Sequence, residues 1–332
     1  MAARLGGWAA PAPPSVPGQP KQRERGMKQD ARASAGALAY RPDIDGLRAI
    51  SVVVVVLFHL GLGILPGGFV GVDVFFVISG YLITSIIARE SNDGRFSFGL
   101  FYERRIRRIY PAMMAMLFAT FVGCYLVLMP REFGLFGRTL IWAPLFSSNF
   151  AFLGSVGYFD AAGITRPLLH TWSLGVEEQF YIVFPWLLIG AQRFGWNRLK
   201  LVGGTVVVSL ASSVVSGCLG FDQAYFLLPM RFWELGFGAL LALHQTRITS
   251  FALRNLIGPI GLAMIFFACV VLDEAMPFPG WMALLPVIGA CGVLVAEGSP
   301  TTRLIASAPF VFIGRISYPM YLCHWPLIVF TI

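Results

Sequence analysis

Charged side chains are scarce in this sequence. Asp, Glu, Lys and Arg make up 13% of its 332 residues, whereas hydrophobic residues make up 57%. A soluble domain carries roughly 25% charged residues because its surface faces water, so this composition excludes an ordinary soluble protein. The uncharged runs are long: Asp73 is the only formal charge between Ala49 and Ala88, and residues 109–130 contain none.

The sequence also lacks the cysteine spacing of metal sites and disulfide frameworks. Its five cysteines lie singly within apolar runs, so we interpret them as packing residues and predict no bound metal. We expect no signal peptide, because the first apolar run begins late and is too long. The net charge of +8 comes from segments that flank apolar runs. No basic folded domain is present, so nucleic acid is not an expected partner.

What the sequence does contain is a series of apolar segments. About 20 apolar residues are needed to cross the hydrocarbon core of a bilayer as a helix, and membrane strands would give shorter, alternating segments. We therefore predict an all-α fold, a polytopic transmembrane helical bundle of about ten spans. The predicted spans are about 47–66, 69–88, 109–129, 138–156, 174–190, 201–220, 224–244, 255–272, 281–297 and 308–330.

The two ends of the chain differ from this pattern. Residues 1–39 are rich in Ala, Gly, Pro and charges and have no helical period, which predicts a disordered tail on the cytoplasmic side. Residues 40–332 are then the transmembrane domain. The sequence stops within an apolar run at Ile332, and we expect this domain to be a fragment or a form that lacks a further domain.

Strict alternation of ten spans conflicts with the positive-inside tendency. If the N-terminus is inside, the Arg-rich segment 89–108 is also inside, but Arg193, Arg198 and Lys200 fall outside. One solution is that residues 130–172, which contain several Pro and Gly breakers, form a re-entrant or broken helix that lines a cavity. The topology after residue 130 stays open at this stage.

Arg48 and His59 are the most informative pair of polar residues. At 100° per residue their spacing places both on one helix face, with His59 about 16 Å deeper, near the middle of the bilayer. A histidine there is costly unless it faces a cavity or a partner, and it can take a proton from a hydroxyl and return it. The alternative is a histidine that only bonds a neighbouring helix. Asp45 could orient Arg48, and Asp73 is expected near the level of His59.

Four arginines precede the third predicted span. Arg104 with Arg107, and Arg105 with Arg108, are three positions apart and so adjacent on a helix surface. Guanidinium groups suit phosphate, so a phosphate-bearing donor could bind here from the cytoplasm. The alternative is a topology signal or contact with anionic lipid, and spacing alone favours that alternative.

Further polar residues lie in two motifs. Residues 170–181 read His-Thr-Trp-Ser-Leu-Gly-Val-Glu-Glu-Gln-Phe-Tyr, with candidate site residues His170, Trp172, Glu177, Glu178 and Tyr181. The glutamates are expected to open a helix with Ser173 as its N-cap; one of them could instead orient a catalytic histidine or bind sugar hydroxyls. His324 lies in a second apolar motif, and Arg231 and Glu234 are expected to neutralise each other within the membrane.

Taken together, these motifs resemble the acyltransferase 3 family of membrane acyltransferases, which includes O-antigen and other lipopolysaccharide O-acetyltransferases. The resemblance runs from about Tyr40 to the end. It rests on Arg48 and His59 with ten residues between them, on the Arg-x-x-Arg pair, on the Thr-Trp-Ser-Leu-x-x-Glu-Glu-Gln-Phe-Tyr block, and on the Ser-Tyr-x-x-Tyr-Leu-x-His-x-Pro block near the end. Many bacterial members with this N-terminal pattern also carry an extracytoplasmic hydrolase-like domain.

The resemblance implies a multi-pass enzyme of the bacterial inner membrane, surrounded by membrane lipids and without a bound cofactor. Acyl-CoA, usually acetyl-CoA, would be the co-substrate and would bind through Arg105 and Arg108. The acceptor would be a hydroxyl of a surface glycan, such as the lipopolysaccharide O-antigen, or of a lipid-linked saccharide. His59, Arg48 and Glu178 are the expected catalytic residues, with Arg48 or Trp172 as oxyanion donors. Direct and covalent transfer both stay open, and a proton-coupled transporter is the alternative function.

Overall fold

The computed structural model describes residues 40–153, 166–221, 225–246, 248–276 and 278–331. The chain divides into two units, Met1–Tyr40 and Arg41–Ile332, and the helices below belong to the second; the predicted tail, residues 1–39, lies outside the described residues. No strand occurs in the described part, in agreement with the predicted all-α class. The α-helices are α1 (Pro42–His59), α2 (Gly71–Asn92), α3 (Phe98–Val127), α4 (Pro130–Trp142), α5 (Ser148–Phe152), α6 (Thr171–Arg193), α7 (Arg198–Cys218), α8 (Leu228–His244), α9 (Phe251–Val271), α10 (Leu284–Val295), α11 (Pro300–Ile305), α12 (Ala308–Arg315) and α13 (Ser317–Val329).

Four helices among the described residues are long and apolar enough to cross a membrane. They are α2 with its preceding turn (Gly68–Asn92), α3, α7 and α9. The protein is therefore a multi-pass membrane protein, but the predicted number of about ten spans is not confirmed. Some predicted spans are shorter in the structure: α10 has 12 residues and extends about 18 Å, less than the hydrocarbon core. The predicted span 308–330 is divided between α12 and α13.

Helices α2 and α8 pack backbone against backbone. A Cβ atom on Gly80 would lie 1.8 Å from the carbonyl oxygen of Leu235, and one on Gly238 would lie 2.0 Å from that of Val77. Such distances are far below van der Waals contact, so only glycine allows this approach. The close packing brings polar side chains of the two helices together inside the bundle.

The ends of α2 and α6 lie side by side. Ser91 forms a hydrogen bond with Gln192, and the guanidinium of Arg198 donates to the side chain of Asn92 at 2.9 Å. Helix α3 starts at the same end, because Arg104 lies 2.8 Å from Glu90. We call this the basic end. Helix α3 leaves this end and α6 returns to it, and residues 128–170 form the intervening chain.

The described part of that intervening chain forms a hairpin. Helix α4 is 13 residues long, about 20 Å, and the hydroxyl of Tyr110, in the first half of α3, donates to the carbonyl of Pro144 in the turn after α4, at 2.7 Å. The chain thus runs part of the way back along α3 before α5 begins. The predicted single span 138–156 is therefore wrong: the left-handed residue Phe146 (φ 52) separates the two short helices. The predicted broken helix agrees with residues 130–153, but none of these residues lines the cavity described below; residues 154–165 lie outside the described part.

Candidate active site

A cavity of about 210 Å³ lies between α1, α2, α3, α6 and α13. Its lining residues on α2 extend from Ile86, toward the basic end, to Val72, a distance of about 20 Å along the helix. Six of the predicted site residues line it: Arg48, Arg105, Arg108, Glu177, Glu178 and Tyr181. Tyr318 and Tyr321 of the C-terminal motif line it as well, so the tertiary structure brings four separate sequence motifs to one cavity.

The four arginines of α3 divide into two pairs. Arg104 and Arg107 point away from the cavity and form ion pairs with Glu90 and Glu103, respectively, at 2.8 and 2.7 Å. Arg105 and Arg108 line the cavity. The arginines were expected in a segment just before a span, but α3 already begins at Phe98, and the helical repeat produces this division.

We refer to Arg48, Arg105 and Arg108 as the cavity arginines. None of them forms an ion pair with a described residue. Arg105 lies over the ring of Tyr181, with its Cζ atom 5.5 Å from the ring centroid. A guanidinium carries five N–H donors, so the three groups present a large unfilled capacity for an anionic ligand.

The two glutamates of the cavity have different surroundings. Glu177 accepts hydrogen bonds from the hydroxyls of Ser79 and Tyr181, and Tyr181 lies four residues, about one helical turn, further along α6. Glu178 is buried, and its Oε1 has no hydrogen-bond partner in the part of the chain described. Glu178 therefore keeps a lone pair for a donor that enters the cavity.

The predicted start of this helix is wrong. Helix α6 begins at Thr171, so the glutamates lie in its second turn and Ser173 is not an N-cap. A preceding turn, in which the amide of Thr171 bonds the carbonyl of Leu168 at 3.1 Å, leads directly into the helix. The hydroxyl of Ser173 instead lies 2.6 Å from that of Tyr321 on α13.

Three of the four histidines in the sequence form a second group, which we call the histidine cluster: His59, His170 and His324. Nδ1 of His59 lies 3.0 Å from Nε2 of His324, and the rings of His170 and His324 are 5.7 Å apart. The indole of Trp325 packs edge-on against His59 at 4.6 Å. None of the three histidines lines the cavity.

The hydrogen bonds of the histidine cluster indicate its tautomers. Nδ1 of His324 lies 2.6 Å from the carbonyl oxygen of Tyr321, which can only accept, so Nδ1 carries the proton. With both rings neutral, Nε2 of His324 is then an acceptor and His59 donates to it from Nδ1. This arrangement leaves the lone pair of His59 on Nε2.

The helix that carries His59 is shorter than the predicted span. His59 is the last residue of α1, which ends seven residues before the predicted limit of residue 66. Gly61 and Gly63, both with φ of +66°, turn the chain away from the helix, and the following residues are exposed. The spacing from Arg48 holds along α1, but His59 lies at the far end of the helix and not in the middle of a longer span.

Asp73 is not at the histidine cluster. It forms an ion pair with Arg231 at 2.9 Å, and Arg231 also pairs with Glu234 at 3.0 Å, all three being fully buried. The predicted contact of Arg231 with Glu234 is present, but sequence reasoning missed Asp73 as the third member because 158 positions separate it from Arg231. We call these three residues the buried ion cluster.

Two other candidates lie outside the cavity lining. Trp172 is fully buried and packs against the guanidinium of Arg231, which argues against its predicted role as an oxyanion donor in the cavity. Asp45 lies in the first turn of α1, where its carbonyl oxygen would be 1.9 Å from a Cβ atom on Gly314.

Comparisons with known proteins agree with these motifs. The model of the acyltransferase 3 family, described as an acyltransferase domain, matches residues 41–332. YrhL of Bacillus subtilis is 36% identical over 315 residues, which cover 88% of this chain and 49% of YrhL. The peptidoglycan O-acetyltransferase OatA of Listeria monocytogenes is 31% identical over 326 residues, or 92% of this chain and 51% of OatA. The O-acetyltransferase OatA of Staphylococcus aureus is 31% identical over 311 residues, with shares of 88% and 51%.

This chain spans about half the length of the relatives it matches. No solved structure matches it. In the described part of the chain, no group of three or more His, Cys, Asp or Glu side chains is arranged to hold a metal ion, and the absence of a metal stays a prediction.

Proposed function

This chain belongs to the acyltransferase 3 family, and we propose that it transfers an acetyl group from cytoplasmic acetyl-CoA to a hydroxyl of a cell-surface glycan. The observation that carries the proposal is the convergence, on a cavity that extends toward the histidine cluster, of three guanidinium groups that have no ion-pair partner among the described residues. The enzyme would lie in the cytoplasmic membrane of a bacterium, with its basic end toward the cytoplasm.

The donor fits the charge distribution of the cavity. Coenzyme A carries phosphates at its nucleotide end and the thioester at the end of a long flexible arm. The cavity arginines would bind the phosphates. A cavity of about 210 Å³ is smaller than typical pockets for drug-sized ligands, about 300–1,000 Å³, so it would take the arm and leave the nucleotide at the basic end. The lone pair on Glu178 Oε1 would accept an amide N–H of the arm.

His59 is the proposed general base. Its Nε2 would take the proton of the acceptor hydroxyl as the oxygen attacks the thioester carbonyl. The tetrahedral intermediate then collapses, the C–S bond breaks, and the departing thiolate takes the proton from His59. The products are an O-acetyl ester and free coenzyme A. His324 would hold the tautomer of His59 that this step requires.

The acceptor is proposed as a glycan sugar. The name of the Listeria monocytogenes relative, a peptidoglycan O-acetyltransferase, favours a peptidoglycan sugar over the O-antigen or another lipid-linked saccharide. Mass spectrometry of peptidoglycan and of the lipopolysaccharide O-antigen, from cells with and without this gene, distinguishes these acceptors. Loss of O-acetyl groups from one of them is the expected result.

The donor is tested separately with the purified protein in lipid nanodiscs. We expect it to release coenzyme A from acetyl-CoA in the presence of acceptor, and His59→Ala to abolish the release. Unchanged glycans together with no release of coenzyme A would overturn the proposed function.

A further inference from the structure

The cavity and the histidine cluster are adjacent but separated, and Tyr321 lies between them. Tyr321 lines the cavity, and its ring centroid lies 5.3 Å from that of His324 and 5.7 Å from that of His170. Phe75, another cavity residue, packs edge-on against the same ring at 6.3 Å. The same ring therefore borders the cavity and contacts two of the histidines.

Two hydrogen bonds hold the ring in place. The hydroxyl of Tyr321 donates to the carbonyl oxygen of His170 at 3.0 Å and lies 2.6 Å from the hydroxyl of Ser173. Both partners are on or next to the first turn of α6, whereas Tyr321 is on α13. The ring is thus fixed at both its backbone and its hydroxyl and is a rigid boundary rather than a mobile side chain.

We infer that Tyr321 is a specificity-determining residue that limits the size of the acyl group brought to the histidine cluster. This inference rests on the proposed function, because it requires the acyl end of the donor to enter the cavity. An acyl group at the inner end of the cavity would meet the phenol ring before it reaches His59. A small acetyl group passes beside the ring, whereas each additional methylene group must displace it or its neighbour Phe75.

The test compares two donors on the same protein. Tyr321→Ala removes the ring between the cavity and the histidine cluster. We expect the ratio of kcat/KM for butyryl-CoA to kcat/KM for acetyl-CoA to rise by about tenfold or more, the effect of a methylene group in an apolar pocket. Tyr321→Phe keeps the ring but loses the two hydrogen bonds that fix it, so its ratio should rise less than that of Tyr321→Ala. A loss of fold would show as poor accumulation, so the ratio is read only in variants that accumulate normally.

A matched control is Tyr110→Ala. Tyr110 also donates from its hydroxyl to a backbone carbonyl, that of Pro144, but it does not line the cavity, so the ratio should not change. If Tyr321→Ala accumulates poorly, Tyr321→Leu serves the same purpose with a larger side chain. Failure of both variants to accumulate beside a normal Tyr110→Ala would make Tyr321 purely structural and overturn the inference.

The outcomes also separate this inference from the proposed function. A wild-type protein that uses neither thioester refutes the proposed function itself. A wild-type protein that transfers acetyl groups, together with an unchanged donor ratio in Tyr321→Ala and Tyr321→Leu, refutes only the role of Tyr321.

Discussion

The buried ion cluster and the cavity arginines place the same side chain in two different environments. Arg231 is fully buried, has Asp73 and Glu234 as ion-pair partners, and is surrounded by aromatic rings at 5.0–5.7 Å, those of Phe76, Trp172, Tyr225 and Phe278. Arg48, Arg105 and Arg108 border a cavity and have no ion-pair partner in the described part of the chain.

This difference distinguishes a structural arginine from a ligand-binding one. Breaking a buried pair leaves an uncompensated charge, and the cost falls on stability. A guanidinium that faces a cavity can be solvated by water or neutralised by an anionic ligand, so its loss falls on binding. Substitutions in the buried ion cluster should therefore lower stability, whereas substitutions of the cavity arginines should lower donor binding.

The largest effect is expected for proton transfer at the histidine cluster. His59→Ala should lower acetyl transfer by about 10²–10⁴-fold, the usual contribution of a general base, while the protein accumulates normally. Activity in membranes, normalised to protein level, measures this. His244→Ala is the control, since His244 ends α8 and lies outside the cavity lining and the histidine cluster. Near-wild-type transfer by His59→Ala would refute the catalytic role.

The next effect is on stability. Arg231→Met should lower the free energy of unfolding by about 3–5 kcal/mol, because Asp73 and Glu234 are left buried without their cation. Thermal unfolding in detergent, followed by the reactivity of the five free cysteines with a thiol dye, measures it. An Arg231→Met protein as stable as the wild type would show that the buried ion cluster is not structural, and the comparison would fail.

A smaller effect is expected for donor binding. The double variant Arg105→Lys, Arg108→Lys preserves charge but loses the forked donors, so KM for acetyl-CoA should rise by about tenfold, equivalent to about 1.4 kcal/mol. Arg104→Lys, Arg107→Lys is the matched control, because those arginines pair with Glu90 and Glu103 outside the cavity. Equal KM values for both double variants and the wild type would leave only a topological role for Arg105 and Arg108.

The smallest effect is expected within the buried ion cluster itself. Glu234→Gln keeps the shape of the side chain and leaves one guanidinium with one carboxylate, Asp73. We therefore expect a loss of about 1 kcal/mol or less, well below that of Arg231→Met. The same thermal assay decides this point. A loss as large as that of Arg231→Met would mean that Arg231 requires both carboxylates for the stability of the fold.

Sequence reasoning located the polar residues better than it located the helices around them. Six candidate residues line one cavity. They could be selected from the sequence because they lie in motifs that an ordinary membrane span does not require. Helix limits failed where local signals were read too simply: α3 extends back to Phe98 through its arginines, and α1 stops at His59 before Gly61. The ion pair of Asp73 was missed for a different reason. Nothing in the residues around Asp73 indicates that its partner, Arg231, lies on α8.

The sequence by itself determined the membrane class, the all-helical fold and the family, because apolar runs and short motifs are local properties of the chain. Only the tertiary structure decided which arginines face the cavity, that His324 bonds His59, and that Tyr321 stands between the cavity and the histidine cluster. These contacts join residues far apart in the chain, such as His59 and His324, separated by 265 positions. They depend on how the helices pack, as where glycines let α2 and α8 touch, and no helical period within a single segment encodes that packing.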